Sequence, residues 1–312
     1  MNAELFEALR PALLRHAYRM LGSRADAEDV VQDAYVRRLD ARGEEVRDER
    51  AYARTIVTRL CLDRLGSAQK RHETYVGPWL PEPFVEDDAA LPERATEIAE
   101  DISFAFMLAL DRLTPAERAA FLLHDVLGVP FEEIAATLQR TEPAVRRLAS
   151  RGREHVRESH RAGATRRDEA DRVRLAFLDA IRRDDVDALK ALFARDAVFV
   201  SDGGGKAAAA LNPLYGADRI AAFYSGVSRK LKGAIEARNT TVNGVPGMVI
   251  SAFGVLVNTL ALEIEDGKIV AVYAMRNPDK LRGAAARFGL MTEDRLPAGT
   301  QPPTTPLVRS RN

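Results

Sequence analysis

The sequence predicts a multidomain chain: two all-α modules, the second a helix-turn-helix, followed by an α+β domain. Three observations predict it. Residues 131–156, FEEIAATLQRTEPAVRRLASRGREHV, pair an apolar-striped helix with a second helix whose outer face is nearly all arginine. Before about residue 75, apolar side chains recur at helical spacing. After about residue 170, strand-like runs appear, with Asn243-Gly244 and Asp266-Gly267 between them as hairpin turns.

In the first module, Leu5, Phe6, Leu9 and Leu13 form one stripe, which Ala17, Met20 and Leu21 continue until Gly22-Ser23 breaks it. A second helix starts at Asp26 with Ala27, Val30, Val31 and Ala34 inward. A third runs from about Glu49 to Leu65 with Ala53, Ile56, Val57, Leu60 and Cys61 inward. Residues 76–98 change character. Gly77-Pro78-Trp79-Leu80-Pro81-Glu82-Pro83 cannot be helix, because each Pro removes a donor and restricts the residue before it. The segment is a linker, yet it holds the only tryptophan of the chain, which points to docking rather than to a free spacer. Helices resume over 99–160. Thr114, Pro115 and Glu117 mark a helix start with a capping box.

In the helix-turn-helix, Phe131, Ile134, Ala135 and Leu138 line the first helix, and Thr141 with Pro143 opens the second. Val145, Leu148, Gly152 and Val156 face inward, leaving Arg146, Arg147, Ser150, Arg151 and Arg153 outside. An ordinary helical hairpin with a solvated face is the alternative reading; this face has several arginines and no lysine. Arginine forks onto guanine edges and phosphates, so the face fits duplex DNA. Residues 161–171 form a polar second linker. The last domain spans 172–291: helices over 173–181 and 186–193, a strand over 197–201, a helix over 220–231, then strands over 235–242, 247–252, 255–265 and 268–275. Residues 292–312 are Pro- and Thr-rich and are expected to be disordered.

Over 312 residues the chain carries 46 basic and 46 acidic residues, only seven of them lysine, so it is neutral overall. The charge is uneven: residues 140–174 are strongly basic and residues 82–101 acidic. One cysteine, Cys61, excludes an intramolecular disulfide and a cysteine-based zinc site, and no metal or cofactor is expected. The N-terminus lacks a signal segment and no apolar run is long enough for a bilayer, so a soluble cytoplasmic protein without a membrane partner is expected.

The order of segments resembles a known family. Asp26-Ala27-Glu28-Asp29-Val30-Val31-Gln32-Asp33-Ala34-Tyr35 is similar to the polymerase-binding helix of bacterial sigma factors, and Leu113-Thr114-Pro115-Ala116-Glu117-Arg118 with the hairpin to their promoter-reading module. Two such modules on a short linker resemble the extracytoplasmic-function group. Trp79-Leu80-Pro81-Glu82-Pro83, Asp202-Gly203-Gly204-Gly205-Lys206 and Asn277-Pro278-Asp279-Lys280-Leu281 resemble a subgroup with a cone-shaped domain like the polyketide cyclase SnoaL, an NTF2-like fold, fused behind the sigma modules. Tyr52 stands where many relatives have Trp.

The resemblance implies RNA polymerase core and promoter DNA as partners. Asp29, Gln32 and Asp33 would grip a basic coiled coil of the core. Arg59, Arg64, Lys70 and Arg71 would meet the downstream promoter element. Arg146, Arg147, Ser150, Arg151 and Arg153 would meet the upstream one. Trp79, Leu80, Pro81, Asp202, Gly203, Gly204, Gly205, Lys206, Asn277, Pro278, Asp279 and Lys280 would make the regulatory contacts of the fused domain. The three glycines could alternatively cradle an anion, though without P-loop spacing. No histidine follows His160, so the domain has no histidine base, and no catalytic residue is assigned. Two other readings stay open: a helix-turn-helix regulator sensing a small-molecule ligand in the C-terminal domain, and an isomerase, cyclase or hydrolase localised by its helical half.

Overall fold

The computed structural model describes residues 3–40, 46–72, 75–86, 102–159, 167–230 and 235–296. Of the tail expected to be disordered from 292, Thr292 lies in a strand and Glu293–Arg295 form a 3-10 turn, and of the linker expected over 161–171, residues 167–171 are helical. The tail after 296, residues 161–166 and most of the acidic run 82–101 lie outside the described residues. The chain divides into two compact units. One joins residues 1–74 with 105–160. The other joins residues 75–104 with 161–312.

The helical unit opens with α1 (Ala3–Leu21), α2 (Arg24–Asp40) and α3 (Glu49–His72). Most of the side chains the periodicity selects are buried: Phe6, Leu13, Ala17 and Met20 on α1, Ala27, Val30, Val31 and Ala34 on α2, and Ala53, Val57, Leu60 and Cys61 on α3; Leu9, Leu21 and Ile56 are half-buried, and Leu5, near the start of α1, is exposed. Helix α4 (Phe104–Asp111) and α5 (Pro115–Phe121) follow, and α5 runs on into a wider turn over Leu122–Val126. Thr114 caps α5 in a full capping box: its Oγ1 accepts from the Glu117 N–H, and the Glu117 carboxylate accepts from the Thr114 N–H. Helices α6 (Phe131–Leu138) and α7 (Glu142–Ser159) complete the helix-turn-helix. The turn is made by Gln139 in the left-handed region, at φ 52°, and its core is Ala120, Leu123, Val129, Ile134, Val145 and Ala149.

Two buried polar groups tie the helical unit together. The Arg118 guanidinium, from α5, donates to the Met20 carbonyl at the end of α1 (2.7 Å) and to Asp111 (3.1 Å). His16, on α1, is 2 % exposed and lies 2.9 Å from Thr58 Oγ1 on α3. Because the Thr58 hydroxyl donates to the Arg54 carbonyl (2.8 Å), the His16 Nε2–H is the donor in that contact.

The second unit begins with the segment 75–86, whose last residues form β1 (Val85–Glu86). Then come α8 (Arg167–Arg183), α9 (Val186–Leu192), β2 (Phe193–Asp202), β3 (Leu214–Tyr215) and α10 (Ala217–Lys230). The strands β4 (Ile235–Val242), β5 (Val245–Ala252), β6 (Val255–Glu265) and β7 (Lys268–Met275) form a meander, closed by α11 (Pro278–Arg287), β8 (Met291–Thr292) and a 3-10 turn over Glu293–Arg295. The sheet order is β1-β4-β5-β6-β7-β2-β3, with β8 beside β6. The expected sheet is antiparallel, and β4 to β7 are so paired; β2 lies parallel to β7, because β3 and α10 intervene between β2 and the meander and bring the chain back to the same end. Helices α8 and α10 cover the concave face around Phe177, Leu189, Phe199, Ile220, Tyr224, Leu260 and Leu262. This is the α+β cone-shaped SnoaL/NTF2-like architecture.

The turn residues act as the spacing predicts. Asn243-Gly244 and Asp266-Gly267 both have two positive φ values, which matches the twist of the flanking strands. A third such turn, Phe253-Gly254, escapes a composition-based reading, because Phe at φ 51° has no turn propensity.

Burial, with Arg19 and Arg54 nearby, pushes the His16 pKa down from 6.5 to about 3. Above about pH 6.5 the ring is neutral in both folded and unfolded chains. Below it the unfolded chain takes the proton and the folded one does not, so stability is lost as pH falls toward 3. Relative to a His16→Gln variant, the wild type is expected to lose roughly 1.4 kcal/mol per pH unit between about pH 6 and about pH 4. Denaturant unfolding across that range checks this, and a pH-independent difference between the two proteins would refute it.

Candidate nucleic-acid interface and linker clasp

Helix α7 presents the basic face outward because its inner face is locked. Val145 and Ala149 are fully buried, and a Cβ built at Gly152 would stand 2.9 Å from Phe121 Cβ and 3.3 Å from the Glu117 carbonyl. Only a glycine lets α7 approach α5 this closely. Outside, Arg147 and Ser150 are exposed, and the Arg146 and Arg151 side chains are 58 % and 65 % exposed. Arg146 pairs with Glu142 one turn earlier and lies over the Phe131 ring at 4.3 Å. Arg153 is held by Asp125 at 2.6 Å. The face therefore offers Arg146, Arg147, Ser150 and Arg151 to a ligand, while Arg153 is oriented by an acid from the turn after α5.

The two helical modules pack on each other through α3 and α6. Arg59 donates to the carbonyls of Thr137 (3.0 Å) and Ala136 (3.1 Å) at the C-terminal end of α6, where the helix dipole is negative. Arg54 pairs with Glu133 at 3.0 Å, and Thr55 and Thr137 share a hydroxyl contact at 3.2 Å. In this arrangement Arg59, although exposed, is bonded to the helix-turn-helix. Arg64 lies over α2, 3.0 Å from Asp26, 3.5 Å from Asp29 and 3.6 Å from Asp33. Asp29 and Asp33 nevertheless stay 70 % and 56 % exposed, and Gln32 is exposed beside them. The side chains of Lys70 and Arg71 lie outside the described residues.

In the other unit, the Pro/Trp segment is built into the sheet domain around one buried carboxylate. Asp202, at the end of β2, is 0 % exposed. Its carboxylate accepts from the Tyr75 hydroxyl (2.6 Å), the Leu80 N–H (2.9 Å) and the Lys280 ammonium (2.7 Å). Its backbone carbonyl accepts from the N–H groups of Arg276 (2.7 Å) and Asn277 (2.9 Å). Lys280 also donates to the Leu80 carbonyl (2.6 Å) and stands over the rings of Tyr75 (4.8 Å) and Trp79 (4.5 Å). Asn277 caps α11 through the Asp279 N–H and donates its Nδ2–H to the Tyr75 oxygen at 2.9 Å. Lys206 pairs with Asp279. Burial and the bond to Asp202 raise the Tyr75 phenol above its usual pKa, so it remains a donor.

The glycine loop is the filler of this clasp and not an anion cradle. A Cβ at Gly204 would fall 2.2 Å from Asn277 Nδ2 and 3.0 Å from the Tyr75 hydroxyl, one at Gly205 would touch Val76 at 3.1 Å, and one at Gly203 would clash with the Ala207 carbonyl at 2.2 Å. The space an anion would need is taken by protein. Leu80 is fully buried, as are Pro81 and Pro83 beside it.

A second anchor went unnoticed in the sequence. Asn243, the hairpin residue between β4 and β5, accepts from the Phe84 N–H through Oδ1 (2.8 Å), donates its own N–H to the Phe84 carbonyl (2.7 Å) and donates Nδ2–H to the Ile102 carbonyl (2.8 Å). It thus holds the segment between the modules at Phe84 and at Ile102, and β1 pairs Val85 with Val242 alongside it. An Asn-Gly pair signals only a turn; its side-chain partners lie 141 and 159 residues away.

Two family models match: sigma-70 region 2 over residues 5–71 and sigma-70 region 4 over residues 103–156. The extracytoplasmic-function (ECF) RNA polymerase sigma factor SigJ of Mycobacterium tuberculosis is 38 % identical over 295 residues, 91 % of this chain and 94 % of that protein. This chain belongs to the extracytoplasmic-function sigma factors. The probable ECF sigma factor SigI of the same species is 30 % identical over 293 residues, covering 91 % of this chain and 96 % of that protein. The crystal structure of M. tuberculosis SigJ superposes with a TM-score of 0.73 at 36 % identity, over 90 % of this chain and 99 % of that chain. The match therefore runs through the fused SnoaL-like domain. As an ECF sigma factor the chain works with RNA polymerase and promoter DNA. No helix among the described residues is long and apolar enough to cross a membrane.

The seat of α7 gives a direct test. Gly152→Ala relieves backbone entropy but drives a methyl into Phe121. We expect a net loss of about 1–2 kcal/mol in denaturant unfolding, since overpacking outweighs the gain. A variant as stable as wild type would show that α7 is not seated this tightly.

Proposed function

We propose that this sigma factor is controlled by its own C-terminal domain, which holds the segment joining the two promoter-binding modules. The observation that carries the reading is the Asp202 carboxylate, which has no solvent exposure and takes two of its three donors, Tyr75 and Leu80, from that segment. With Asn243 gripping Phe84 and Ile102, the domain fixes how much chain is free between the modules.

The DNA roles rest on the membership of the sigma factor family. Arg146, Arg147, Ser150 and Arg151 read or position the upstream promoter element from α7, with Arg153 braced behind them. Arg59, Arg64, Lys70 and Arg71 serve the downstream element, and Asp29, Gln32 and Asp33 the polymerase core. Arg59 reaches DNA only after it leaves the α6 carbonyls, so core and promoter binding must part the two modules. Its bonds are at the surface, where a charge contact is worth little in water, so the parting is energetically accessible. The protein acts in the cytoplasm, where polymerase and promoter are.

The test is transcription in vitro with RNA polymerase core and a promoter from upstream of the protein's own gene. Tyr75→Phe removes the hub hydroxyl at a cost of about 1–2 kcal/mol in linker seating without changing the residue's shape. Gly204→Ala displaces Asn277 from the same hub. Both are expected to change transcript yield severalfold while the folded state and core affinity stay intact. Wild-type yield from both folded variants would sink the proposal.

A further inference from the structure

The concave face of the C-terminal sheet encloses a cavity of roughly 630 Å³, within the size range of small-molecule sites. Most of its lining is apolar: Leu178 and Ile181 from α8, Val227 from α10, and Ile235, Ile250 and Leu260 from the sheet. Three polar groups interrupt this lining. Tyr224 is 5 % exposed and its buried hydroxyl makes no hydrogen bond. Asn258 Oδ1 is buried and likewise accepts none. Arg276 is 8 % exposed and brings a guanidinium to the cavity, with Glu293 at 4.0 Å, the limit of an ion pair. Leaving buried hydroxyl and amide groups unpaired in an apolar wall costs about 1–3 kcal/mol each, which a bound molecule would recover.

The charge of the lining selects the ligand. Four arginines, Arg182, Arg183, Arg229 and Arg276, line the cavity with one carboxylate, Asp184, which accepts from Ser225 and pairs with Arg229. From outside the lining Asp179 pairs with Arg183 and Glu293 with Arg276, which still leaves an excess of positive charge. We propose that the cavity binds an apolar organic acid, its hydrocarbon body against the sheet and α8, and its carboxylate between Arg276 and the Tyr224 hydroxyl, with Asn258 meeting any hydroxyl on the body. Arg276 is also the residue that precedes Asn277, and the N–H groups of both donate to the Asp202 carbonyl. A ligand drawing on the Arg276 side chain therefore acts one residue from the clasp. This coupling rests on the regulatory reading of the clasp, whereas the site itself does not.

The experiment titrates full-length protein with decanoate by calorimetry and follows the emission of Trp79, the single tryptophan, which lies under the Lys280 ammonium. Decanoate is expected to bind one per chain, with decanol, the same body without charge, about tenfold weaker or more. Ala237→Trp, which fills the cavity from β4, should abolish binding with thermal stability retained, and Tyr224→Phe should weaken it severalfold. Trp79 emission should change with the same midpoint. The site is overturned by an absence of saturable decanoate binding, by equal binding of decanol, or by binding that survives Ala237→Trp in a folded protein. Saturable binding with unchanged Trp79 emission overturns the coupling. Binding uses no polymerase, so a failure of the clasp in transcription is distinguishable from a failure of the site.

Discussion

A carboxylate with no access to water has to be neutralised where it stands, and Asp202 is neutralised by groups that lie far away in the chain. Lys280 supplies the charge; Tyr75 and the Leu80 N–H supply the remaining donors. The interior attraction of such a pair only offsets its desolvation when the other lone pairs are also satisfied. Remove the segment 75–80 and the domain would keep a buried ion pair with two of its donors missing. The inter-module segment is thus part of the domain's core and not a tether passing over it. Gly204 belongs to the same constraint, since any side chain there would push Asn277 off the Tyr75 oxygen.

The contrast with the helical unit is one of dielectric. Arg59, Arg54 and Arg64 make bonds of similar length to those of Asp202, but with exposed partners such as Glu133, Asp29 and Asp33. Water competes for each of these groups, so the contacts are individually weak and reversible. The clasp contacts are buried and cooperate through shared atoms: the Tyr75 oxygen serves Asp202 and Asn277, and Lys280 serves Asp202 and Leu80. Similar contacts placed in different surroundings give one firm junction and one that a partner can open.

Local chemistry was legible in the sequence; partnership across the chain was not. The capping box at Thr114, the turns at Asn243 and Asp266, and the inward faces of α1 to α3 follow from neighbours within one turn. The Trp79 segment could be suspected of docking, because prolines and tryptophan together make a poor spacer. Its seat could not be derived from periodicity, since the Tyr75 and Leu80 contacts to Asp202 span 127 and 122 residues. Arg59 shows the same limit from the other side. Its charge and helix position suit DNA, yet those properties equally suit the negative end of α6, and only the packing of α3 on α6 decides between them in the free chain. The Asn243 anchor was hidden because a turn explains an Asn-Gly pair completely.

The seam at residues 276–277 joins the two halves of the second unit's chemistry. Arg276 sends its side chain toward the cavity, and Asn277 sends its own toward Tyr75, while both backbone N–H groups hold one carbonyl of Asp202. β7 ends at Met275, and Arg276 and Asn277 lie where the chain turns into α11, with Asn277 as its N-cap, so their side chains part where the backbone changes direction. The fold therefore places the cavity and the linker clasp on either side of a single peptide unit. That adjacency makes a cone-shaped domain a suitable holder for a segment whose release has to answer to something else.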